Sequence, residues 1–183
     1  DPSTQQRALV LAAKTGIPNV RSAADDFDIW ALASDPDNRL PDRLPAPEAR
    51  AAMFFTGGTT GLPKGAEHTH HSLSVFAPLI HALWNFRFDA ETILNVAPMF
   101  HVWGHQFTLV FPLYLRATMV IVPQYSPKLV LAGLQRNRVT VFAGGPAAIF
   151  LGLLGADSID DTDLSALQYS IAGGSACPEG LLA

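Results

Sequence analysis

Twelve consecutive residues, Phe54-Phe55-Thr56-Gly57-Gly58-Thr59-Thr60-Gly61-Leu62-Pro63-Lys64-Gly65, hold four glycines, three threonines and one lysine. Glycines let backbone N–H groups approach an anion without a Cβ in the way, threonine hydroxyls add donors, and a lysine adds a point charge. By chemistry this is a cradle for a polyphosphate. It is not a Walker A loop, because no glycine stands five positions before Gly61 and Lys64 is followed by Gly65 rather than Ser or Thr. Nor does it match the dinucleotide fingerprint. A Gly/Thr/Pro run can also do no more than join one element to the next, and the residue types alone leave both readings open.

Other residues invite chemistry less strongly. His101 and His105 stand four apart, a spacing that puts two imidazoles on one helical face, but no third His, Cys or carboxylate lies near them, so a metal is not expected. His105 reads as packing, and His68, His70 and His71 as solvated or helix-start residues. Phe100, Trp103, Phe107 and Phe111 recur at helical spacing, which reads first as core.

The elements that must hold these residues follow from composition and periodicity. The chain has 183 residues, 49% hydrophobic and 15% charged, enough apolar surface to offset the entropy of ordering a chain. This excludes a disordered segment or a disulfide miniprotein. Net charge is −4 with no cluster of basic residues, so nucleic acid is not an expected partner. The single cysteine, Cys177, has no internal partner and is expected to be a small buried apolar residue. Nothing at the N-terminus reads as a secretion leader, so the expected compartment is the reducing cytoplasm. Residues 92–115 contain no Asp, Glu, Lys or Arg, a length that could span a bilayer, but Asn95, Pro98, His101, His105, Gln106 and Pro112 interrupt it. A buried strand followed by a buried helix is expected instead.

Residues 5–14 and 25–33 have helical composition, and 35–47 hold four prolines among charges, which suits an exposed connector. After it, strands are expected over 51–55, 92–96, 118–122, 139–142 and 167–172, and helices over 69–86, 101–114, 126–136 and 146–154, with another starting at Pro178. Ser126-Pro127 supplies an N-cap and a proline at the first helical position. Strand and helix alternate, so the fold class is α/β: a mostly parallel sheet with flanking helices. The division expected is an N-terminal helical and connector segment, 1–50, and a nucleotide-binding part, 51–183.

The run Thr56 to Gly65 closely resembles the signature loop of the adenylate-forming (AMP-binding) superfamily, which includes acyl-CoA synthetases, peptide-synthetase adenylation domains and firefly luciferase. That loop is written Thr-Ser-Gly-Thr-Thr-Gly-x-Pro-Lys-Gly, and Gly57 replaces its serine here, removing one hydroxyl donor. Three further segments resemble the same superfamily in the same order: Thr69-His70; Ala97-Pro98-Met99-Phe100-His101-Val102-Trp103-Gly104; and Ala172-Gly173-Gly174-Ser175-Ala176.

The resemblance implies part of an N-terminal domain of an enzyme that joins a carboxylic acid to the α-phosphate of ATP, releases pyrophosphate and passes the acyl group to the thiol of CoA, with Mg²⁺. It implies nucleotide contacts from Thr56, Gly57, Gly58, Thr59, Thr60, Gly61 and Lys64, with Lys64 beside the β- and γ-phosphates, and from the turn Gly173, Gly174 and Ser175. His101 would lie against the acyl-adenylate, and the aromatic stripe would add a wall to the acyl pocket. Domains selecting α-amino acids usually carry Phe-Asp where this chain has Phe100-His101, and no carboxylate occurs over 92–115, so an apolar acid is expected. A fatty acid is the first reading and an aryl or alicyclic acid the second. The chain opens without methionine and closes just after Pro178-Glu179-Gly180. Both ends are expected to be cuts in a longer protein, and the piece alone is expected to be inactive, because the superfamily's later Tyr-Gly-x-Thr-Glu segment and distant lysine do not occur in it. A non-catalytic nucleotide-binding remnant is the reading from a different class, and peptide-synthetase adenylation a further one.

Overall fold

The computed structural model describes residues 43–56, 64–122 and 124–181. The helices expected over 5–14 and 25–33, and the connector as far as residue 42, lie outside the described residues. Residues 43–48 are exposed and carry neither helix nor strand. From Pro45 onward the chain forms one compact unit.

Four parallel strands make the frame. They are β3 (Thr92–Asn95), β4 (Thr118–Ile121), β5 (Val141–Gly145) and β6 (Tyr169–Ala172), side by side in the order β4-β3-β5-β6. Alternation of side chains across these strands sorts the core into two layers. Ile93, Val141, Ala143 and Ile171 face one way, onto Phe107, Phe111, Leu115 and Phe86. Leu94 and Phe142 face the other, onto Val130, Leu131, Leu134 and Leu153.

The first strand expected does not join this sheet. β1 (Arg50–Thr56) pairs antiparallel with β2 (Lys64–Thr69) as a separate two-stranded sheet, and the last residue of β1 and the first of β2 flank the glycine-rich run, a hairpin in which Thr56 stands opposite Lys64. β2, with the sequence Lys-Gly-Ala-Glu-His-Thr, escapes a sequence reading because its residues are poor strand formers; pairing with β1 supplies what propensity does not.

Thr69 then caps a helix as its position suggests: its Oγ1 accepts from the Ser72 N–H at 3.1 Å while Ser72 Oγ accepts from the Thr69 N–H at 3.0 Å. The long helix expected over 69–86 is two, α1 (His70–Ser74) and α2 (Phe76–Trp84). Pro78 lacks the N–H that would bond the Ser74 carbonyl four residues back, which places the break at Ser74–Phe76. Asn85, with φ of 50°, ends α2.

The charge-free stretch 92–115 is β3, a turn, and a helix in three parts: α3 (Val102–His105), a π turn (Gln106–Val110) and α4 (Phe111–Leu115). The π turn precedes Pro112, another residue with no N–H for an α-helical bond to the carbonyl four back. Among the described residues no helix is long and apolar enough to cross a membrane. α5 (Pro127–Arg136) starts as expected, with Ser126 Oγ accepting from the Leu129 N–H at 3.2 Å. α6 (Ala147–Leu154) follows β5. After Pro178 the described residues form a 3₁₀ turn over Glu179–Leu181. Cys177 is exposed, not buried, because the residues after β6 leave the core for the surface.

One buried carboxylate ties the amino ends of the strands together. Glu91 accepts from the Arg87 N–H at 2.9 Å and from Arg87 Nε at 3.0 Å, and from the Thr140 hydroxyl, whose oxygen in turn accepts from the Thr92 N–H at 3.0 Å. Burial opposes its charge, but the hydrogen bonds from Arg87 and Thr140 outweigh burial and hold the carboxyl below the usual carboxylate range.

Candidate active site

Neighbouring strands β3 and β5 send their chains to opposite faces of the sheet, since β3 continues into the helix of the Phe107 layer and β5 into α6 of the Leu153 layer. Where connections diverge in this way, a crevice opens beyond the carboxyl ends of the strands, and open α/β sheets place ligands there. A cavity of about 280 Å³ occupies that position. Val96, Ala97 and Pro98 come to it from the end of β3, Gly144, Pro146 and Ile149 from β5 and α6, Gly173 and Gly174 from the turn after β6, and His101 and Trp103 from the start of α3. None of these is an Asp, Glu, Lys or Arg.

Asn95, 5% exposed, shapes the first wall. Its Oδ1 accepts from the Ala97 N–H at 3.2 Å, and its Nδ2 donates to the Ala97 carbonyl at 3.0 Å and to Thr108 Oγ1 at 2.7 Å. In the sequence Asn95 reads only as a break in an apolar run; an Asx-type residue three positions before Pro98 is the signal that it can build a turn. Gly104 presses onto the same turn: a Cβ there would lie 2.0 Å from the Pro98 carbonyl oxygen, so only glycine lets the helix start this close.

His101 is therefore not on the helical face shared with His105. It is the N-cap of α3, in extended backbone, and its Nδ1 accepts from the Trp103 N–H at 3.2 Å. Nδ1 must be unprotonated to accept, which leaves Nε2–H as the donor of the neutral ring. The imidazole is exposed on the cavity side. His105 packs edge-on against Phe54 of β1, ring centres 5.2 Å apart, and through that contact the hairpin rests on the helix that carries His101. Among the described residues no three His, Cys, Asp or Glu side chains converge as metal ligands.

The opposite wall is a pair of glycine turns. Gly145 and Gly174 both have φ of 81°, and the Gly173 N–H donates to the Gly145 carbonyl at 2.9 Å, locking one turn to the other. Ser175 Oγ accepts at 3.2 Å from the N–H of Ala147, the first residue of α6. Trp103 lies across both turns. A Cβ on Gly173 would fall 2.4 Å from its Cζ3, and its Nε1–H makes a long hydrogen bond of 3.5 Å to the Ala143 carbonyl.

Of the nucleotide-contact residues expected from sequence, Gly57, Gly58, Thr59, Thr60 and Gly61 lie outside the described residues. Thr56 and Lys64 face each other where the two strands end on either side of the glycine-rich run, and Thr56 Oγ1 donates to the Lys64 carbonyl at 3.2 Å; both are exposed, and neither lines the cavity. The structure thus brings together His101, Gly173 and Gly174 at one cavity, with Ser175 beside it. A second cavity of about 370 Å³ lies beyond the same Val96–Pro98 wall, under Met99, Met119 and Tyr125, and includes none of the expected site residues.

Comparison with known proteins gives the arrangement its place. A long-chain-fatty-acid–CoA ligase of Bacillus subtilis (strain 168) is 31% identical over 129 residues, 70% of this chain and 23% of that protein. The mitochondrial malonate–CoA ligase ACSF3 of Homo sapiens is 36% identical over 115 residues, 58% of this chain and 20% of that protein. The chain thus spans under a quarter of the length of these curated relatives. The inhibitor-bound N-terminal domain of FACL13 from Mycobacterium tuberculosis superposes with a TM-score of 0.64 at 30% identity, over 75% of this chain and 35% of that one. Residues 4–183 match the family described as AMP-binding enzyme. With that match running over nearly the whole chain, and with relatives and a solved domain of about 30% identity beside it, the chain belongs to the AMP-binding enzyme family.

Proposed function

We propose that the protein is an ATP-dependent acid–thiol ligase, of which this chain supplies the phosphate loop and the acid cavity. The reading is carried by one observation: an apolar cavity at the switch point of the sheet, walled by His101 on one side and the Gly173–Gly174 turn on the other. In the first half-reaction a carboxylate oxygen forms a bond to the α-phosphorus of ATP while the bond to the leaving pyrophosphate breaks. In the second, the sulfur of CoA attacks the acyl carbonyl, AMP leaves, and the thiol proton goes to solvent or a base.

The chain's own residues have defined parts in this. Lys64 and Thr56, with the glycine loop between them, stabilise the negative charge that grows on pyrophosphate, a task for donors already in position. His101 donates from Nε2 to the acyl-adenylate while Nδ1 holds the helix cap. Gly173, Gly174 and Ser175 present backbone rather than side chains to the adenylate. Mg²⁺ is read as arriving with the triphosphate: the cavity lining contains no carboxylate, so the described residues do not fit a resident ion, which takes oxygen ligands.

The acid is apolar, a fatty acid first and an aryl or alicyclic acid second. An amino acid is disfavoured because its ammonium would meet no carboxylate in this lining. Two organisational readings accompany the proposal: a boundary near residue 50, supported by the compactness of the chain from Pro45 onward, and a reducing, cytoplasmic setting, supported by the single cysteine.

The test is acid-dependent release of pyrophosphate from ATP by the whole protein, followed by thioester formation with CoA. Turnover with fatty or aryl acids, lowered by about 10- to 100-fold in Lys64→Met, supports the proposal. Pyrophosphate exchange with amino acids only, or no release with any acid, contradicts it.

A further inference from the structure

Resting on that ligase reading, we infer that Trp103 and Gly173 together set the length of the acid, restricting the cavity to a compact, uncharged hydrocarbon acid: a ring or a short chain. The indole lies over the ends of two strands. Its six-membered ring occupies the space of a side chain on Gly173, with Cζ3 and Cη2 at 2.4 and 2.7 Å from where a Cβ would stand, and its pyrrole edge reaches Gly145, with Nε1 at 3.7 Å from the corresponding point.

Among the described residues, aromatic rings fill the space behind the indole. Phe107 follows at 4.7 Å between ring centres, then Phe111 at 5.9 Å and Phe86 at 5.1 Å from Phe111, all three at most 2% exposed. An interior packed to this density has no room for a chain unless a side chain is removed. An acyl group that passes His101 therefore stops at the indole, whereas truncating Trp103 opens the space in front of Phe107.

Charge narrows the class further. Among the described residues the cavity lining holds no lysine or arginine, so the second carboxylate of a dicarboxylic acid would be desolvated there without a cation. This separates the chain from what the name of its malonate–CoA ligase relative implies for that protein.

The experiment is pyrophosphate release by the whole protein across butyrate, hexanoate, benzoate, decanoate, palmitate and malonate, compared among wild type, Trp103→Ala, Trp103→Phe, Gly173→Ala and the double variant Trp103→Phe/Gly173→Ala. Hexanoate or benzoate is expected to exceed palmitate by about tenfold or more in kcat/KM. Trp103→Ala should move the optimum to longer acids, with Trp103→Phe intermediate. Gly173→Ala should depress every acid, because its methyl pushes the indole into the cavity, and the double variant should recover at least part of the loss. Melting curves identify any variant that fails to fold, and the wild-type profile together with Trp103→Phe then decides. Equal activity on palmitate and hexanoate, preference for malonate, or a length profile unmoved by both Trp103 variants overturns the inference and leaves the ligase reading standing. Absence of pyrophosphate release with every acid overturns that reading and this inference with it.

Discussion

At Gly104 a missing methyl group holds a helix against a turn. The Cβ of an alanine would lie 2.0 Å from one backbone oxygen and 2.7 Å from another, neither of which can swing aside as a side chain could. Gly104→Ala should therefore destabilise the fold by about 1–3 kcal/mol, as overpacking does, and shift the His101 cap with it. Comparing melting temperatures with those of Gly180→Ala, where nothing lies within 4 Å, checks this; equal effects would contradict it. Lys64 behaves in the opposite way. It is exposed and makes no side-chain bond among the described residues, so Lys64→Met should leave the melting temperature unchanged while lowering ATP-dependent turnover by about 10- to 100-fold. His101 combines both roles: His101→Ala removes a helix cap worth about 1 kcal/mol and a donor at the cavity, whereas His101→Asn can cap but presents a different donor. Retained stability with reduced turnover in the asparagine variant is expected.

The elements were legible where a residue type has one local meaning. Ser126-Pro127 starts a helix wherever it stands, and the strands 92–95, 118–121 and 141–145 are short apolar runs bounded by breakers. What escaped depends on partners distant in sequence. β2 exists because β1 pairs with it; α1 and α2 separate because Pro78 starves one carbonyl; and His101 left the helical face because its ring replaced a missing backbone partner. The closeness of Trp103 and Gly173, seventy residues apart, has no signature in sequence at all.

The Glu91 network is of the same kind, linking Arg87, Thr92 and Thr140 at the amino ends of the strands. Because the folded state holds this carboxyl below its usual range, the unfolded chain takes up the proton first as pH falls. The stabilisation is present above the unfolded pKa of about 4.5 and is lost as pH falls through the lower folded value. Chemical denaturation from pH 7 to pH 3 should show a loss of stability in wild type that is smaller in Glu91→Gln. A Glu91→Gln curve parallel to wild type would assign the acid sensitivity elsewhere.

For the whole molecule, the parallel sheet and the family were readable together, since the strand and helix alternation and the loop from Thr56 to Gly65 point the same way. The sheet order was not, and it is the order β4-β3-β5-β6 that opens a crevice between β3 and β5 and so fixes where a ligand can sit. If the proposed function holds, the acyl-adenylate occupies this crevice. A crystal structure of the whole protein with hexanoyl-sulfamoyl adenosine, a stable stand-in for the adenylate, tests it most directly. The expected result is the hexanoyl chain between Trp103 and Ile149, the carbonyl region beside His101, and the adenosine moiety along Gly173–Ser175. An acyl group seated instead in the second cavity, under Met99 and Met119, would contradict it.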